Sequence, residues 1–138
     1  MNNIPWKNFT TEKDGIRLEV TWWDHDFNAK YKVGDIVLKY SRHIMAMCPM
    51  KYTEEWLKAD FEKNGLYASF KEAGEIISNQ TVLFEAIKAQ FAITKKESLE
   101  HQKDYYNICS DIAKDISVIN QETRSLITDY LLDLWRDA

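Results

Sequence analysis

Glycine and proline are scarce in this chain, and both stop early. Its 138 residues hold four glycines (Gly15, Gly34, Gly65 and Gly74) and two prolines (Pro5 and Pro49). Glycines this scattered cannot form a phosphate-cradling loop, which needs several within one turn. There is no Gly-x-Ser-x-Gly elbow to present a nucleophilic serine. From Glu75 to Ala138 neither residue occurs, which favours helix over a turn-rich β architecture. Cysteine is equally sparse. Cys48 and Cys109 lie far apart and read as free thiols of a reducing, cytoplasmic compartment. The opening "MNNIPWKNFTTEK" has no apolar segment of the secretory kind, and no run reaches the roughly 18 apolar residues of a membrane span. No membrane partner is expected.

Basic charge is in short supply too. Eighteen Lys and Arg against 22 Asp and Glu leave a formal net charge of −4. That balance disfavours nucleic acid, which selects basic surfaces, and suits a basic protein partner. Apolar and aromatic residues, by contrast, are plentiful at 45% and 13%, which excludes intrinsic disorder. The length suits a single domain spanning residues 1–138.

The expected fold class is α+β and predominantly α-helical: an N-terminal β-hairpin (residues 1–35) packed on four to six helices (residues 36–138). In "IRLEVTWW", Ile16, Leu18, Val20 and Trp22 alternate with Arg17, Glu19, Thr21 and Trp23, the period of a half-buried strand. "FNAKYKV" alternates likewise, and the intervening "DHD" reads as the hairpin loop. Gly34-Asp35 ends that second strand. The segment "IVLKYSRHIMAMC" reads as a helix capped by Asp35, with a third strand as the alternative. "TEEWLKADFEKNG" is a helix capped by Thr53 and closed by Asn64-Gly65. "SFKE" (69–72) has capping-box spacing and opens a short helix through Ile77. A longer helix runs from about Thr81 to Ile93, and "TKKE" (94–97) either bends the chain or lets it run on. Residues 95–117 read as a helix with Tyr105, Cys109, Ile112 and Ile116 on one stripe. Asn120 caps the last helix, whose apolar face is Ile127, Leu131, Leu134 and Trp135.

Several chemistries can be weighed against this frame. Asp24-His25-Asp26 supplies metal-ligand and acid–base residue types, but successive side chains in an extended chain face opposite ways. The turn reading, in which Asp makes local hydrogen bonds, is preferred. None of His25, His43 or His101 has a glutamate three residues before it, so no Glu-x-x-His di-metal pattern exists. No metal ligand, cofactor or catalytic residue is assigned. His43 reads as a partly buried histidine, Cys109 as a small core hydrophobe, and Cys48 as core margin. Residues 54–78 have the outline of a helix-turn-helix, yet Glu72 and Glu75 stand where phosphate contacts need basic or amide groups.

Two surfaces remain for partner binding. At 100° per residue, Glu97, Glu100, Asp104, Asp111 and Asp115 fall within about 60° on a 95–117 helix, an acidic row suited to a cationic partner. Trp23, on the face opposite Trp22, forms a second patch with Asp24 and Asp26. The expectation is a non-catalytic, acidic neutralising partner, such as an immunity protein against a basic nuclease toxin. The alternatives are an enzyme using one metal, with ligands from His25, His43, His101 and nearby acids, or a regulatory subunit that self-associates through its helices.

Overall fold

Three two-residue turns, Asp14-Gly15, Asp24-His25 and Gly34-Asp35, fold the first third of the chain into an antiparallel meander. The computed structural model describes residues 6–44, 49–97, 105–116 and 120–138. Its strands are β1 (Lys7–Lys13), β2 (Ile16–Trp23), β3 (Asp26–Val33) and β4 (Ile36–His43), paired in the order β1-β2-β3-β4. The first turn places both central residues at positive φ, 53° for Asp14 and 81° for Gly15, as a tight hairpin between right-twisted strands requires.

The sheet therefore has four strands, where the sequence pattern identified two. β1 was missed because Phe9 is its one large apolar residue, so alternation is faint. β4 corrects the helical reading of residues 36–48. Ile36, Tyr40 and Ile44 recur every four residues, which suits a helical face but also, four being even, one face of a strand. Pairing with β3 along the whole of Ile36–His43 settles it, and Leu38 is fully buried. Met47 and Cys48 lie outside the described residues.

One face of the sheet is apolar. Ile16, Leu18, Val20 and Trp22 of β2, Phe27 and Ala29 of β3 and Leu38 of β4 are buried in a core shared with the helices. Five helices follow among the described residues. Helix α1 (Glu54–Lys63) is capped by Thr53, whose hydroxyl accepts from Trp56 N at 3.1 Å, and its first turn carries Glu54 and Glu55. Helix α2 (Leu66–Asn79) has its N-cap at Gly65, held at φ 65°, four residues earlier than the Ser69 cap that "SFKE" suggests. Ser69 is buried inside α2 and cannot cap it, because a cap needs non-helical backbone. Gly74 lets α2 lie close on the sheet: a Cβ there would stand 3.3 Å from both Tyr31 Cε2 and Val33 Cγ1.

Helix α3 (Thr81–Glu97) runs unbroken through "TKKE". Its Phe84 meets Tyr130 at 5.7 Å and its Phe91 meets Trp135 at 5.1 Å between ring centroids. It thus follows the direction of α5 (Gln121–Asp137), which Asn120 caps by accepting from Thr123 N at 2.7 Å. The Lys95 ammonium donates to the carbonyls of Trp135 and Arg136 at 2.9 and 3.0 Å, capping the negative end of α5. Helix α4 (Tyr105–Ile116) runs the other way: Tyr105 at its start stacks on Trp135 near the end of α5. A single 95–117 helix is therefore not what forms, since α3 and α4 pass along α5 in opposite senses.

Helix α5 is the hub, touching α2, α3, α4 and β4. Its predicted face holds, with Ile127, Leu131 and Trp135 buried and Leu134 partly so. On α4, Cys109 is fully buried, and burial pushes its thiol up to about 11. It is a packing residue, as its place in the apolar stripe implies. In a Cys48→Ala background, thiol titration at pH 8 is expected to find essentially no reactive sulfur until denaturant is added. Fast labelling of the native protein would contradict this placement.

Candidate protein-binding surface

Among the described residues the helices pack on the inner face of the sheet and leave the Trp23 end of its outer face open. Asp133 of α5 reaches Lys39 at 3.7 Å farther along. The cross-strand rows follow from the three turns. Trp23 pairs with Asp26 and Asp26 with His43, so these three side chains stand side by side on neighbouring strands. Trp6, just before β1, joins the row, its ring 6.2 Å from that of Trp23 in an edge-to-face arrangement. The next row is Asn8, Thr21, Asn28 and Ser41, latched by Thr21 Oγ1 donating to Asn8 at 2.9 Å and Ser41 Oγ donating to Asn28 at 2.5 Å.

Asp26 organises the aromatic row. One carboxylate oxygen accepts from Trp23 Nε1 at 2.7 Å, and the other lies 2.6 Å from His43 Nδ1. A carboxylate bridging an indole and an imidazole fixes both rings, so the surface is pre-organised and loses little rotamer freedom on contact. This revises the reading of His43, whose side chain is 65% exposed on β4. A strand presents it outward, opposite Asp26, where a helix would have turned it toward the core.

The turn at the end of this row is firmly anchored. Tyr52 N donates to Asp24 O at 2.8 Å and Ile44 N to His25 O at 2.9 Å. His25 is buried against Trp23, 5.1 Å between ring centroids, and its ring nitrogens have no hydrogen-bond partner among the described residues. The Asp24 side chain is half exposed and 3.5 Å from Lys51, a pair of the weak surface kind. At the same end, Tyr52 packs under Phe27 and beside Trp56, which is 38% exposed. Burial raises the Tyr52 phenol above its ordinary range. The Arg42 guanidinium loses some stability to burial, but its hydrogen bond to Tyr40 and the attraction of Tyr40 and Asp60 more than offset this, holding it above its usual range. It stays charged beside the row.

Trp6 stands 46% exposed as a wall between two shallow grooves on this face. One, of about 240 Å³, runs past Asp26, Asn28, Ser41 and His43; the other, of about 480 Å³, past Glu19, Thr21, Lys30 and Lys39. Of the residues expected to bind a partner, Trp23, Asp24 and Asp26 are brought together here. Trp6, His43 and Trp56 were not anticipated. The two-residue turns supplied the missing signal, because an Asp14-Gly15 hairpin puts position 6 opposite position 23.

The acidic row has no such unity. Glu97 is the last residue of α3, Asp111 and Asp115 are exposed on α4, and Glu100 and Asp104 lie outside the described residues, as does His101. Among the described residues no three His, Cys, Asp or Glu side chains gather as a metal site, and no helix is long and apolar enough to cross a membrane. Comparison of the chain with protein-family models, with curated protein sequences and with solved structures returns no match.

Proposed function

We propose that this protein works by binding a basic protein through the Trp6–Trp23–Asp26–His43 row, as a non-catalytic neutralising partner of the immunity-protein kind. The observation that carries the reading is Trp23 and His43 held on the outer sheet face by the shared Asp26 carboxylate, with Trp6 packed edge-on against Trp23 and the half-exposed Asp24 alongside. Tryptophan anchors are what dominate protein interfaces energetically. An arginine or lysine of the partner can lie over the exposed Trp6 ring. A net charge of −4 adds long-range attraction for a cationic surface. Nuclease active sites are basic because they hold phosphates, so a nuclease toxin fits this chemistry.

The test is capture from a native lysate at low salt on the immobilised protein, followed by a salt step and mass spectrometry. One basic protein released at moderate salt is expected; retention of acidic proteins alone would count against the reading. With the captured partner in hand, the charge pair on α4 has a separable role. Reversing it (Asp111→Lys with Asp115→Lys) is expected to slow association several-fold and flatten its salt dependence, with dissociation unchanged. Surface plasmon resonance at two salt concentrations reads both rates. A faster dissociation with unaltered association would place these aspartates inside the contact.

A further inference from the structure

Helix α3 is apolar on the wrong side as well as the right one. Phe84 and Phe91 face α5 and are buried. At 100° per residue, Val82, Ala86, Ala89 and Ile93 fall within about 60° of one another, centred on the face diametrically opposite. All four are exposed, Val82 at 84% and Ile93 at 49%. A surface helix normally turns charge outward, and α3 does not: its exposed Glu85, Lys88 and Lys96 sit on the flanks. The 82–86–89–93 spacing alternates four and three, the seam of a helix pair.

We propose that this stripe is the interface of an antiparallel dimer formed with a second copy of the chain. The reason to choose a second copy is that α3 reads nearly the same in both directions about its midpoint: "TVLFEAI" forward from Thr81 matches "TIAFQAK" backward from Thr94. A twofold axis there sets Val82 against Ile93 of the second copy and Ala86 against Ala89. Each contact occurs twice, as an isologous interface requires. The central alanines let the axes approach to about 8 Å, the close end of helix packing. The contact is small. Seventeen residues make a helix of about 25 Å, and its strip falls short of the roughly 800 Å² per partner of a standard interface. The dimer is therefore weak, with a Kd on the order of tens of micromolar. Each copy carries −4, so added salt tightens it, the opposite of its effect on a basic partner.

Sedimentation velocity from a few micromolar to about 0.5 mM is expected to show a monomer–dimer equilibrium that strengthens with salt. Val82→Glu and Ile93→Lys, both at exposed positions, are each expected to keep the monomer's circular dichroism and raise Kd at least about tenfold. Mixed one to one, V82E and I93K should recover dimer, because the antiparallel register sets the new carboxylate against the new ammonium. A monomer throughout the range, or V82E dimerising like wild type, overturns the proposal; failure of the mixture to recover overturns the antiparallel register.

Discussion

Replacing Phe61 with alanine is expected to remove about 3–5 kcal/mol of folding stability, the largest loss of any single change considered. The side chain is 1% exposed and sits where three elements meet: its ring is 5.4 Å from Phe27 of β3 and 6.4 Å from Tyr67 of α2, while it springs from α1. Truncation forfeits the burial of a phenyl ring and leaves a cavity whose walls belong to a sheet and two helices. Such walls cannot collapse together without moving the hydrogen-bonded backbone. Domains of this size have about 5–15 kcal/mol in total, so the variant would sit near the edge of folding. Urea denaturation followed by circular dichroism checks it; a loss under about 1 kcal/mol would mean that Phe61 is not the joint described.

Removing Trp23 should damage binding more than folding. Trp23→Ala is expected to weaken the captured partner's affinity by at least about 2 kcal/mol, some thirtyfold, and Trp6→Ala by a similar amount. Trp23 gives up its own contact area and also its hydrogen bond to Asp26, whose carboxylate is then held by His43 without the indole. Trp23→Phe keeps most of the ring and deletes the indole donor, so its loss should fall between wild type and Trp23→Ala. Titration calorimetry against the partner distinguishes the series. Equal affinity for Trp23→Phe and Trp23→Ala would assign the effect to the hydrogen bond to Asp26 and not to aromatic contact.

How much of this was legible in the sequence depends on which physical signal each element carries. β2 and β3 were plain, because a half-buried strand writes period two and both do. Thr53 and Asn120 were plain as well, since a cap is a local bond between a side chain and the amides two or three residues on. β4 was misread because its apolar spacing of four satisfies both periods, and only pairing with β3, a non-local fact, decides between them. Residues 95–117 read as a helix, with a bend or an unbroken run at "TKKE" both open, because a capping-box spacing also fits inside a continuing helix and neither glycine nor proline follows to mark a break. What separates α3 from α4 is packing, with Phe91 and Tyr105 both drawn to Trp135 from opposite directions.

The candidate site was half legible. Alternation alone put Trp23 on the outer face. Its neighbours needed the registers of three hairpins: pairing across Asp14-Gly15 brings Trp6 to Trp23, across Asp24-His25 brings Asp26, and across Gly34-Asp35 brings His43. The Asp24-His25-Asp26 triplet thus splits three ways. Asp24 is left half exposed at the turn, His25 goes under Trp23, and Asp26 becomes the bridge between strands. Sequence neighbours parted and distant residues met, which is what a two-residue turn does to three consecutive side chains.

The central claim is that the row of Trp6 and Trp23 is the contact surface for a basic protein. It is tested most directly by paired capture from one lysate, with wild type and a Trp6→Ala/Trp23→Ala double variant as baits at equal density and low salt. The account predicts a basic protein held by wild type, released by a moderate salt step, and missing from the variant, whose circular dichroism matches wild type. The same protein retained equally by both baits would contradict it.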